Sequence, residues 1–269
     1  MIAFALLAPI VGASILAQEA PPVAPDRSGE AALRRLMRDG GAVKDAHVLL
    51  RGGRRPNPRG GILEPSRMEL HYRSQKVFRF ESSSFMGGGA RVISDGTVVL
   101  RDPLTLNGPV ELTNATEEMA DASPVLRGAG VAGGLLFRIM TGEAALDKVL
   151  DAKGFVIDTV GPFGRALLLG APNNTVAIIH FEEVGGKLWV RRIDLEQRRE
   201  LPAKPPTIAE IEGANPFSLE VRWEAVGKPL PDELFSTKPP EGIPVQDRRG
   251  ASGGVGEGTD GERSGPDES

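Results

Sequence analysis

The sequence predicts an α+β protein built mainly on antiparallel β-structure, and three observations carry that class. Apolar and polar residues alternate through much of the chain, the mark of half-buried strands with one wet face. Turn residues interrupt those runs at short intervals, so that neighbours pair as hairpins. Two stretches, near residues 29–41 and 113–153, carry their apolar residues at helical spacing instead.

The elements follow in order. Residues 1–17, MIAFALLAPIVGASILA, have no charged side chain and give way to the Pro-rich, polar QEAPPVAPDRSGE. A short apolar run that ends in small residues fits a signal peptide, with Ala17 or Ala20 before the cut. An uncleaved N-terminal anchor is the competing expectation, because no Lys or Arg precedes the run. Residues 18–28 read as a flexible lead-in. After Ser28, a candidate N-cap, Leu33, Leu36 and Met37 share one helical face, and Gly40 with Gly41 supply the stop.

From Ala46 the period becomes alternating. Met68, Leu70 and Tyr72 alternate with Glu69, His71 and Arg73, and Phe78 and Phe80 with Arg79 and Glu81. In ARVISDGTVVL two apolar runs flank Asp95 and Gly96, a pair suited to the positive dihedrals of a tight hairpin. Residues 113–153 then form a helical insert, with acids, a glycine cluster and Leu/Ala spacing. TVAIIHFEEVGGKLWVRRIDLE reads as a hairpin closed near Gly185 and Gly186. FSLEVRWEAV puts Phe217, Leu219, Val221, Trp223 and Ala225 opposite Ser218, Glu220, Arg222 and Glu224. Residues 247–269, with almost nothing apolar, read as a disordered tail, which leaves 29–246 as the folded unit.

Composition narrows the chemistry. A chain of 269 residues holds one large domain or two small ones, and the absence of cysteine excludes disulfides, thiolate metal sites and a lipid-modified cysteine. The net charge is −4, and six acids against three bases in 247–269 supply −3 of it. The folded part is nearly neutral, so nucleic acid is not an expected partner. His47, His71 and His180 are far apart and form no H-x-x-x-H or H-E-x-x-H, so no metal site is expected. No folded serine sits on a G-x-S-x-G elbow; no catalytic residue is assigned and the chain reads as a non-enzyme, with a hydrolase of dispersed site as the lesser alternative.

No cofactor is expected either. Gly128, Gly130 and Gly133 spell G-x-G-x-x-G, but EEMADASPVLR before them is no buried strand and hairpins follow. The glycines suit a helix that packs closely through Gly130 and Gly134, or an apolar segment of low stability that acts as a lid. RGGRRPNPRGG, residues 51–61, reads as a loop whose Arg51, Arg54, Arg55 and Arg59 either meet lipid phosphates or are simply solvated. Asn114 and Asn173 each begin an N-x-T triplet.

These features together resemble the outer-membrane lipoprotein carrier family (LolA-like) and related lipid-carrier lipoproteins. The exported N-terminus, the helix before the first strands and the helical insert match. VFRFESSSFMGGGARVISDGTVVLRDP stands where that family has strand, DG hairpin and strand, and LFSTKPPEG is similar to its aromatic, Pro-rich finish. The resemblance implies an incomplete, curved antiparallel β-barrel, with the leading helix and helical insert packed in or over its concave face. It implies a non-catalytic periplasmic or secreted carrier or chaperone, binding acyl chains of lipids or lipoproteins and meeting membrane-associated donor or acceptor proteins.

The candidate cavity walls are Met68, Leu70, Tyr72, Phe78, Phe80 and Trp223 from the strands and Leu135, Leu136, Phe137, Ile139 and Met140 from the insert. Burying an acyl chain there would favour binding by about 0.8 kcal/mol per CH₂. The same residues can instead fill one another's space in a structural or interaction protein with no cavity. Arg138, inside the apolar insert, stands near a head group on the first reading and in solvent on the second.

Overall fold

The computed structural model describes residues 29–54, 66–83, 89–104, 108–117, 119, 123–149, 163–171, 175–197, 207–214 and 216–250. The expected signal segment, the lead-in and most of the expected tail lie outside them. Helix α1 (Glu30–Gly41) buries Leu33, Leu36, Met37 and Gly40, the stripe that the spacing foretells. Its N-cap is Gly29, with no side-chain cap bond; Ser28 lies outside the described residues.

Alternation then builds a meander of consecutive antiparallel strands: β1 (Ala46–Arg54), β2 (Ser66–Tyr72), β3 (Val77–Ser83), β4 (Gly89–Asp95), β5 (Val98–Asp102) and β6 (Val110–Asn114). A second meander holds β7 (Phe163–Ala171), β8 (Thr175–Val184), β9 (Lys187–Gln197) and β10 (Phe217–Val226). Pairing of β10 with β1 joins the two, and β11 (Val245–Asp247) returns parallel to β6. The described strands thus form one sheet of eleven, in the order β11-β6-β5-β4-β3-β2-β1-β10-β9-β8-β7, with β11 and β7 at its edges. Among the described residues it does not close on itself.

Two turns show how local chemistry sets pairing. Gly185 (φ 60°) and Gly186 (φ 76°) make the two-residue connection between β8 and β9, where both positions need positive φ. At the β4–β5 turn only Gly96 is positive (φ 96°); Asp95 keeps ordinary dihedrals, and its carboxylate accepts from the backbone N–H of Thr97 and Val98, each at 2.8 Å. The hairpin is therefore a two-residue connection, but it is Gly96–Thr97, one position on from the Asp-Gly pair, with Asp95 ending β4 and capping the turn.

Between the meanders lie α2 (Ser123–Thr141), a 3₁₀ turn at Glu143–Ala145 and α3 (Leu146–Val149). The insert starts later than the spacing suggested, because residues 113 and 114 complete β6. Gly130 breaks α2 with φ 63° and ψ −169°. It makes no close helix contact, for a Cβ added there would meet nothing within 4 Å. The close approach is made elsewhere. A Cβ on Gly40 would lie 2.8 Å from the Ile139 carbonyl oxygen, and one on Gly41 would lie 2.7 Å from Gly142 Cα. The ends of α1 and α2 therefore touch backbone to backbone.

Helix α4 (Ile208–Gly213) opens on a capping box in which the Thr207 hydroxyl accepts from Glu210 N while the Glu210 carboxylate accepts from Thr207 N at 2.7 Å. Arg51 and Arg54, expected in a loop, belong to β1, while Arg55 and Arg59 lie outside the described residues. No helix among the described residues is long and apolar enough to cross a membrane.

Candidate functional site

The strand period puts Val48, Leu50, Met68, Leu70, Tyr72, Phe78 and Phe80 on one side of the sheet, and α1 and α2 lie over that side. Leu135, Leu136, Phe137, Ile139 and Met140 point into the same cluster from α2. Every one of the eleven candidate wall residues is therefore brought together. Ten are buried, and Trp223 packs at the margin. Phe80 and Phe137 meet edge to face at 5.9 Å, which joins strand wall to helix cover directly. Trp189 and Trp223 repeat the arrangement at 5.0 Å, and the Trp223 indole N–H donates to the Val190 carbonyl at 2.9 Å.

Tyr72 is the polar exception within the apolar set. Its hydroxyl accepts from Gln75 Nε2 at 2.9 Å, and burial pushes the phenol up to about 12. Gln75 Oε1 in turn accepts from Met119 N at 3.2 Å, which ties the β2–β3 turn to the segment leading into α2. Arg138 is half-buried, not in open solvent.

The helical cover is held to the β8–β9 hairpin by polar contacts at its outer side. Arg35 donates to the Glu183 carboxylate at 2.7 Å and to the Gly186 carbonyl at 2.9 Å, and Asp39 accepts from Leu188 N at 2.8 Å. The Arg35–Glu183 pair is solvent-exposed, so screening by water leaves it little weight in stability.

The other face of the sheet carries a band of charge. On β3 and β4, Glu81 accepts from Arg79 at 2.7 Å and from Arg91 at 2.9 Å. Burial pushes its carboxyl up, but the two guanidiniums more than offset that and hold it below the ordinary value. On β2, Glu69 reaches His47 at 2.8 Å and lies 3.6 Å from His71. His71 is shifted down, first by burial and then by the charge of His47 beside it. Arg51 faces Arg67 in the β1–β2 register, a like-charge juxtaposition. Because this face is turned away from the apolar cluster, Arg51 is not placed to meet the head group of a chain held under the helices.

Farther along that face lies a fully buried acid, Asp194, on β9. The Ser218 hydroxyl donates to it at 2.6 Å, Arg192 Nε donates at 3.0 Å, and His180 Nε2 stands 2.8 Å away. Burial raises the carboxyl, yet the bonds from His180 and Ser218 and the charge of Arg192 win and keep it below its ordinary value. Serine, histidine and aspartate thus meet, but not in nucleophilic order. Ser218 and His180 both address the carboxylate, so the imidazole is not set to take the serine proton. Beside them a cleft of about 390 Å³ is lined by Arg51, His180, Arg191, Arg192, Glu220 and Arg222.

The sequence reading missed two of these constellations. His47 and His71 are 24 positions apart yet directly opposed in register, and Asp194 with Ser218 is likewise a cross-strand pair. The available signal was the Glu-Leu-His of β2, whose first and third residues must share a face. With the geometry in hand, comparison adds no relative: no protein-family model and no curated protein matches the chain.

Proposed function

We propose that this chain is an exported, non-catalytic carrier that shelters acyl chains of lipids or lipoproteins between its sheet and the helices α1 and α2. The supporting observation is the cover itself. One continuous apolar face is roofed by two helices that touch each other backbone to backbone, bend at Gly130, and are fastened at the outside by exposed polar contacts. A twisted open sheet of this many strands curls, splits or flattens, and a carrier requires the first course, in which the apolar face becomes concave. The helices would lift as a pair, admit hydrocarbon against Leu70, Phe80, Leu136 and Phe137, and close again. No bond is made or broken. Each CH₂ transferred contributes about 0.8 kcal/mol, and a single chain held this way stays reversibly bound, as a carrier that must release its cargo requires.

The test is recovery of cargo. The full-length chain, purified from the exported fraction without detergent, is examined by native mass spectrometry and by organic extraction. The expected result is a stoichiometric lipid, and uptake of a fluorescent fatty acid that is faster in Arg35→Ala, where the outer latch is removed and stability is nearly unchanged. Absence of lipid, together with no fatty-acid uptake by either protein, overturns the proposal. It would leave the second reading, favoured by the burial of ten of the eleven wall residues: a structural or interaction protein with the same sheet and a filled core.

A further inference from the structure

We propose that His47, Glu69 and His71 form a binding site for one divalent transition-metal ion, Zn²⁺ by ligand chemistry, on the face of the sheet opposite the helices. The site is independent of the carrier reading. It follows from register. His47 of β1 stands directly opposite His71 of β2, and Glu69, two residues along β2, projects from the same face.

The ligand atoms converge. His47 Nε2 lies 2.8 Å and His71 Nε2 lies 3.6 Å from the same Glu69 oxygen, and the candidate ligand atoms of all three residues lie within 4.8 Å of one another. Zinc bonds of about 2.0–2.1 Å in tetrahedral geometry need ligand atoms about 3.3 Å apart, a value that the two histidine–glutamate separations straddle. A small swing of the Glu69 carboxylate equalises them. The imidazoles are stacked, with centroids 4.5 Å apart and planes within 4°, so a turn of one ring about its Cβ–Cγ bond is needed to bring both Nε2 lone pairs onto one ion. Rigid strands are the better platform for such a site.

A plain hydrogen-bonded cluster explains less. At 3.6 Å the His71–Glu69 contact is too long for a hydrogen bond, so Glu69 satisfies only one of the two rings. Neutral imidazole is the form that ligates. Two histidines and one glutamate are a known zinc donor set that leaves a fourth position for water, and the part-exposed side chains leave room for it. The neighbouring cation, Arg79, opposite His71 on β3, is already paired with Glu81.

The experiment uses the full chain without an affinity tag, stripped of metal. Zn²⁺ is titrated by calorimetry, and Co²⁺ by visible absorption as a reporter of geometry. Expected are one equivalent bound, a tetrahedral Co²⁺ spectrum, and an affinity loss of about 100-fold or more in His47→Ala and in His71→Ala. Zn²⁺ should also raise the melting temperature of the parent and of His180→Ala, but not of the His47→Ala/His71→Ala double variant. That readout separates a lost ligand from a disturbed strand pair. No saturable binding by the parent, or one-equivalent binding that survives in the double variant, overturns the proposal.

Discussion

At the scale of single residues, the most consequential group is a buried charge. Asp194 has no exposed surface and is held ionised by Ser218, His180 and Arg192. Asp194→Asn should therefore cost about 3 kcal/mol at neutral pH, because the Arg192 guanidinium loses the carboxylate it is paired with and Ser218 and His180 lose their anionic hydrogen-bond partner. The pH dependence has a definite sign. The folded value lies below that of an unfolded aspartate, about 3.9, so the stabilisation is fully present above that value and is lost as pH falls through the lowered one. Urea-unfolding midpoints followed from pH 7 to about pH 3 should fall steeply in the parent and less steeply in Asp194→Asn. Equal slopes would remove Asp194 from the acid response. This residue also marks a limit of sequence reading. Alternation alone placed Ser218 on the wet face of its strand, whereas it is buried there opposite Asp194 of the neighbouring strand.

At the scale of elements, the glycine-rich helix gives the sharpest contrast. Gly130 and Gly213 both have open space where a Cβ would go, but only Gly130 has a positive φ, at 63° with ψ −169°. That region is nearly exclusive to glycine, so Gly130→Ala should destabilise by about 1–3 kcal/mol, while Gly213→Ala should be neutral or slightly stabilising. Differential scanning calorimetry of the pair decides it; equal melting temperatures would mean that the kink carries no strain for alanine. The helix itself was legible from Leu135, Leu136, Ile139 and Met140, and so were α1 and most strands, because periodicity is a local signal. Its kink was not, since the glycines there read as a close helix contact or a lid of low stability, and neither reading specifies a break at Gly130. The His47–His71 pair was not legible for another reason: register depends on which strands become neighbours, and single-strand alternation does not encode that. The candidate cavity residues were legible as a set, because every one of them sits on an apolar face that any packing of this sheet must cover.

At the scale of the whole molecule, the two faces of the sheet divide the chemistry. The helix-covered face holds the main apolar cluster on which the carrier proposal rests, and the opposite face holds the Glu81 ion pairs, the cleft beside His180, the histidines and a smaller buried apolar cluster of Ile93, Leu100, Val110 and Leu112. The lipid-recovery and metal-titration experiments therefore interrogate opposite sides, and a failure of one leaves the other standing. The described sheet also has two edges, β11 and β7. On one, the short parallel strand β11 lies against β6, fastened by Val110 N to the Pro244 carbonyl at 2.9 Å and by Arg248 N to the Leu112 carbonyl at 2.8 Å. A chain stopped after Gly242 would lose that strip and leave the amide edge of β6 bare, an invitation to pair with another molecule. Light scattering of such a truncation should report self-association that the intact chain lacks. Residues Val245–Asp247 thus act as a selvedge, and a tag, a protease site or a fusion joint set before Gly250 would unravel the cloth at its hem.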